Sequence, residues 1–219
     1  MTSYSFMLKR ELQSPHEDAE GKKLTRKNLA TDEDIRDLLG KINGQEFLWV
    51  VLMIITGRRA VDISRMKFEK VTLYSGKVGV IIPKDKSSSR PVSFEFEWEE
   101  FDVDDCNITE MKLKFEKSCI EARGYVIQPE NSGKNRQQCL TIMKQRIARK
   151  SNFNLHALRS RRAVICLMKG RSESLVKSKI GWRSEEMVRY YTILSADQIC
   201  QFKSYLSFCE YLLEQVTEK

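Results

Sequence analysis

The sequence predicts a mainly helical α+β domain carrying one small three-stranded antiparallel sheet. Apolar residues recur at helical spacing before residue 66 and again from about residue 108 onward. Between these regions lie three short runs rich in β-branched and aromatic residues: Val71–Tyr74, Val78–Pro83 and Pro91–Trp98. The runs are separated by a break at Ser75 and Gly76 and by the polar loop from Lys84 to Arg90, which fits a meander. Hydrophobic residues make up 41% of the chain, enough for a packed core.

Taken in order, residues 1–30 are polar and charged and read as a basic arm or linker. Thr31, with Asp32, Glu33 and Asp34 after it, predicts a helix start: the hydroxyl caps free N–H groups and the acids sit at the positive end of the helix dipole. Ile35, Leu38, Leu39 and Ile42 supply its apolar stripe, and Gly44 is expected to close it. The run Phe47–Ile55 is nine apolar residues long, well short of the ~20 that span a bilayer, so it reads as a buried helix over 46–55. A further helix follows from about Arg59 to Met66. After the strands, helices are expected near 108–122, 136–149, 156–169, 172–180 and 184–191. A final amphipathic helix over about 196–216 carries Ile199, Phe202, Leu206, Cys209, Leu213 and Val216 in its stripe. The expected organisation is a basic arm or linker over 1–30, a folded domain over 31–195 and a C-terminal helix over 196–219, whose apolar stripe packs on its own domain or on a neighbouring protomer.

The formal charge is +8, from 38 Lys and Arg against 30 Asp and Glu, which suits a phosphate-rich partner. An anionic membrane surface would attract the same charge. The N-terminus has no apolar core of signal-peptide length, which points to an intracellular protein. The cysteines (Cys106, Cys119, Cys139, Cys166, Cys200 and Cys209) are scattered without a CxxC pair, so reduced thiols are expected rather than a disulfide framework or a zinc site.

Four separated segments carry candidate chemistry. Thr56, Gly57, Arg58 and Arg59 precede Asp62; Lys84 and Lys86 lie in the hairpin loop; His156 and Arg159 form an HxxR pair; and Gly181 and Trp182 precede Tyr191, nine residues beyond the tryptophan. In this order and at these separations the chain resembles the catalytic domain of the tyrosine recombinases, the phage integrase family. The resemblance covers roughly residues 31–195, with Asp62 where the family usually has glutamate and Trp182 where most members have histidine.

The resemblance implies a fold and a site. Tyr191 would be the nucleophile on a DNA phosphodiester, and Arg59 and Arg159 would hold the non-bridging oxygens, where charge concentrates in the transition state. Lys86, preferred over Lys84, would protonate the departing 5′ oxygen. His156 would assist proton movement or hydrogen-bond the phosphate, and Trp182 would donate one indole N–H and pack against the site. Arg58, Arg90, Arg161, Arg162 and Arg183 are candidate DNA contacts; Arg161, Arg162, Lys169 and Arg171 fit either that role or a solvated helix face. The scheme uses no metal and no cofactor. Double-stranded DNA is the expected partner, with self-association as a dimer or tetramer on it. Most family members carry a DNA-clamping domain before the catalytic one, and the residues ahead of Thr31 are too few for one, so the chain is expected to be a fragment or a minimal enzyme. A telomere resolvase, a type IB topoisomerase and a catalytically silent DNA-binding relative are the alternatives; His156 argues against the topoisomerase, where lysine is typical.

Overall fold

The computed structural model describes residues 30–66, 71–74, 77–82, 91–98, 101–121, 126–127, 135–182, 204–205 and 207–211. Helix α1 (Asp32–Lys41) starts as the sequence predicts: Asp34 N–H donates to the Thr31 hydroxyl at 3.2 Å, and Thr31 N–H donates back to the Asp34 carboxylate at 3.1 Å. It ends differently. Ile42 is buried in extended conformation, and Gly44, at φ +54°, opens the next helix instead of closing this one.

That next helix, α2 (Gly44–Thr56), is the axis of the domain, with every residue from Phe47 to Thr56 buried. A helix hydrophobic all round needs neighbours all round. Here α3 (Ala60–Ser64), α4 (Ile108–Glu121) and α6 (His156–Met168) pack on it. The Trp49 indole donates to Ala60 O at 3.0 Å, fixing α3 across the turn, and Lys150 reaches Glu46 at 2.6 Å from the end of α5 (Arg136–Lys150). Helix α5 is itself opened by a reciprocal cap between Asn135 and Gln138.

Strands β1 (Val71–Tyr74), β2 (Lys77–Ile82) and β3 (Val92–Glu97) form an antiparallel meander in the order β1-β2-β3. Val78 pairs with Phe96 and Val80 with Phe94, so the period-2 alternation sends Val78, Val80, Ile82 and Phe96 to the core. Phe96, Trp98, Phe101 and Phe115 form an aromatic cluster beneath the sheet, mostly edge-on, with centroids 5.4 to 6.3 Å apart. No described helix is long and apolar enough to cross a membrane.

Helix α6 joins two apolar clusters. Ala157 and Leu158 belong to the larger one. Ala163 to Leu167 belong to a smaller one with Val176 and Ile180 of α7 (Glu173–Ile180), Trp182, Tyr205, Phe208 and Cys209. Residues 205 and 207–211 are helical, and this part of the C-terminal segment packs on its own chain. Of the expected stripe Cys209 is buried, but Tyr205 and Phe208 share its face; Ile199, Phe202, Leu206, Leu213 and Val216 lie outside the described residues, as do the expected helix over 184–191 and residues 1–29. The described cysteines are free thiols, and burial pushes Cys119 up to about 12, far from nucleophilic at neutral pH.

Phe208 is fully enclosed, so Phe208→Ala is expected to destabilise the isolated chain by about 3–5 kcal/mol. Urea denaturation checks this; a loss below about 1 kcal/mol would show that the C-terminal segment does not pack on its own domain in solution.

Candidate functional site

The site begins at the end of α2. Thr56 turns its hydroxyl back to Leu52 O at 2.6 Å and accepts Arg58 N–H at 3.2 Å. Gly57 caps the helix in the left-handed region, φ +64°, with its N–H on Met53 O at 2.9 Å. A β-carbon at Gly57 would also lie 3.1 to 3.2 Å from side-chain carbons of Arg162 and Ile180. Both conformation and space therefore demand glycine.

Arg59 follows as the N-cap residue of α3. Its guanidinium grips Asp62 by two bonds, Nε at 2.8 Å and an Nη at 3.3 Å. Asp62 is buried, while the Arg59 side chain keeps 36% of its surface exposed. The shorter acid thus makes the fork that a bidentate arginine–carboxylate pair requires and leaves the arginine facing outward.

Arg159 sits one turn into α6 and is buried. One Nη donates to Gly57 O at 2.9 Å and to Ile180 O at 2.7 Å; the other reaches Gly181 O at 3.3 Å. Its guanidinium carbon lies 5.3 Å from the centre of the Trp182 ring. Gly181 caps α7 in the left-handed region, φ +78°, so two helices end on glycine with their last carbonyls turned to one cation. Arg159 therefore brings together three of the four sequence segments: the Thr-Gly turn, the HxxR helix and the Gly-Trp corner. His156, half-buried, opens α6, and its N–H is capped by Asn154 Oδ1 at 3.0 Å.

The fourth segment and the nucleophile candidate are not among the described residues: Lys84, Lys86, Arg90, Arg183 and Tyr191 all lie outside them. Of the remaining candidate DNA contacts, two are interior. Arg58 is 1% exposed and stacks on Phe94 at 5.3 Å. Arg161 is 3% exposed; it pairs with Asp32 at 2.7 Å, donates to Asp102 O and lies 4.8 Å over the Tyr205 ring. Burial raises the Tyr205 phenol well above its usual range, with the Arg161 cation pulling the other way. In place of the surface role expected for them, Arg58 and Arg161 hold the fold together. Arg162 is half-buried over Phe96 at 5.9 Å, on the wall of a cleft it shares with Thr56, Glu95, Lys179 and Ile180. Lys169 pairs with Asp102 at 2.7 Å, and Arg171 is exposed.

Helix α5, expected near 136–149, carries a basic stretch that no motif marks. Its stretch RQQCLTIMKQRIARK holds Arg136, Lys144, Arg146, Arg149 and Lys150 and no acid, and Lys144, Arg146 and Arg149 are exposed. Counting charge per helix would have found it.

No family profile and no curated protein sequence matches the chain. Solved structures do. An XerA recombinase superposes with a TM-score of 0.55 at 14% identity, covering 81% of this chain and 62% of that one. XerH site-specific recombinase bound to difH substrate, a pre-cleavage complex, gives 0.54 at 17% identity, covering 78% and 51%. A lambda integrase(75-356) dimer bound to a COC' core site gives 0.51 at 16% identity, covering 81% and 64%. The fold is that of a tyrosine recombinase catalytic domain. The chain spans about half to two thirds of the length of these tyrosine recombinases.

Within this tyrosine recombinase fold, Gly57→Ala should cost about 1–3 kcal/mol, from a left-handed backbone and a crowded β-carbon. Chemical denaturation measures it. A loss under about 0.5 kcal/mol would mean the turn has room that the 3.1 Å approach denies.

Proposed function

We propose that the chain cleaves and rejoins DNA as a tyrosine recombinase, through a 3′-phosphotyrosyl intermediate at Tyr191. The observation that carries this reading is the placement of Arg159. A cation fixed between the Thr-Gly turn, two residues before Arg59, and the Gly-Trp corner, nine residues before Tyr191, gathers motifs that are 102 and 21 to 22 residues from it in sequence. The fold shared with XerA, XerH and lambda integrase adds to it.

On this reading the Tyr191 oxygen attacks the scissile phosphorus, the P–O5′ bond breaks, and the 5′ oxygen takes a proton from Lys86, with Lys84 as the alternative donor. Arg59, outward-facing and gripped by Asp62, and Arg159, fixed within the fold, stabilise the charge on the non-bridging oxygens. His156 takes the proton that the Tyr191 phenol gives up as it attacks, or hydrogen-bonds the phosphate, and Trp182 supports Arg159 by stacking. The transesterification keeps the phosphodiester energy in the tyrosyl link, so the reverse attack by a 5′ hydroxyl reseals the strand with no metal or nucleotide cofactor. Double-stranded DNA would lie against α5, whose exposed Lys144, Arg146 and Arg149 meet phosphates without acidic neighbours on the helix. Paired strand exchange would need self-association on that DNA.

Covalent trapping tests the reading. Nicked suicide duplexes, drawn from random-sequence pools and from DNA flanking the gene, are incubated with wild type and Tyr191→Phe and run on denaturing gels. A slow-migrating adduct that disappears in the variant is expected; an adduct that persists would move the nucleophile elsewhere, and DNA binding without any adduct would favour a silent DNA-binding relative. Lys86→Ala should slow adduct formation about 100-fold or more and Lys84→Ala far less; the reverse result would make Lys84 the donor. For α5, the double variant Lys144→Ala, Arg149→Ala should lower the slope of log affinity against log salt by about 2, and an unchanged slope would take DNA off this helix.

A further inference from the structure

Helix α4 buries Met111, Phe115, Ser118 and Cys119 against the core, yet it carries the two most exposed large apolar side chains among the described residues. Leu113 is 62% exposed and Ile120 84%, against 40% or less for the other exposed ones. They stand seven residues apart, two turns of helix, so they form one ridge on the side facing away from the core. Glu116 borders the ridge on one side and Glu110 and Glu121 on the other; the Lys117 cation between them is drawn to Glu121 at 4.0 Å.

The chain supplies a segment that fits this ridge. Residues 1–29 join the domain at Ala30, which is buried, and the junction is pinned beside the start of α4: Asp104 N–H donates to Asp32 Oδ2 at 2.8 Å, and Arg36 donates to Asp104 O. Farther along, Lys114 of α4 donates to Leu39 O at 2.8 Å, so α1 lies alongside α4 and the arm leaves α1 near the N-terminal end of the ridge. The densest apolar cluster of the arm is Phe6, Met7, Leu8 and Leu12, and among these stand Lys9, Arg10 and Glu11. From Ala30 back to Leu8 the chain can reach about 70 Å, several times the ~20 Å length of the helix. Tethering then supplies an effective concentration on the order of millimolar, enough for a small apolar contact to form.

We propose that the apolar segment Phe6–Leu12 docks in cis on the Leu113/Ile120 ridge of α4, with Lys9 and Arg10 toward Glu116 and Glu121. The arm is then folded back along the outer face of the domain, and the ridge is a docking surface for the chain's own N-terminus. The inference does not depend on the catalytic reading, and its test uses no DNA.

Hydrogen exchange of the full-length chain, read by mass spectrometry over residues 110–121, tests it. Wild type is compared with Phe6→Asp, Leu8→Asp, with Leu113→Asp, Ile120→Asp, and with all four changes together. Leu113 and Ile120 are exposed and Phe6 and Leu8 lie outside the described residues, and each variant is expected to keep the wild-type melting temperature. Either pair should raise exchange in α4 about tenfold, and the quadruple variant should add nothing further. Exchange in α4 that ignores Phe6→Asp, Leu8→Asp would overturn the proposal. So would protection that rises with protein concentration, which would assign the ridge to a second copy of the chain.

Discussion

A guanidinium taken out of water needs its donors met, and Arg159 finds its partners where two helices leave carbonyls over at their C-terminal ends. Gly57 ends α2 and Gly181 ends α7, both left-handed, and the carbonyls of Gly57, Ile180 and Gly181 turn inward to the one cation. Each helix end carries a partial negative charge, so the arginine is favoured twice over by the fields of the backbone. The arrangement is reciprocal. Without the cation, two helix ends would be buried side by side with their carbonyls unmet, and leaving such groups unpaired costs about 1–3 kcal/mol each. The turn that presents Arg59 and the corner that leads toward Tyr191 thus share one support.

Arg161 does the corresponding task on the other side of the same helix. Two residues on, it points away from Arg159 and binds Asp32 at the start of α1, the backbone at Asp102 and the ring of Tyr205. Helix α6 therefore carries two buried arginines that join different seams: one between α2 and α7, one between the junction of the arm, the loop after the sheet and the C-terminal segment. Arg58 and Arg162 add a third connection by stacking on Phe94 and Phe96, alternate residues of β3. That strand follows in sequence the segment bearing Lys84 and Lys86, and the sheet is fastened to the Thr-Gly turn through the side chains that flank it.

Much of this was legible in the sequence where the signal is local. The Thr31 cap, the strand alternation and the all-apolar run of α2 each depend on neighbours within a few residues, and each element formed within a residue or two of its expected bounds. Gly44 opens a helix where the sequence predicts that it closes one, because glycines in the two positions look alike until the backbone on both sides is known. The spacing of the motifs singled out Arg59, His156, Arg159 and Trp182, but not how Arg159 is held, because its partners are backbone carbonyls with no residue signature. Arg58 and Arg161 were expected at the surface because an arginine is rarely buried without a partner. For Arg161 that partner, Asp32, is 129 residues away, a pairing that no local pattern reveals.

The contrast between the two arginines of the site bears on how such a centre would work. Arg159 is fixed within the protein by its carbonyls and the Trp182 stack. Arg59 is held along one edge by a buried carboxylate and keeps more than a third of its side chain in solvent. Asp62 therefore does two things for it: it balances the cation while the site is empty, and by occupying the Nε edge it orients the rest of the guanidinium outward. One cation is thus set by the protein interior and the other at its surface. The short aspartate side chain keeps the carboxylate inside the first turn of α3 while the arginine reaches out.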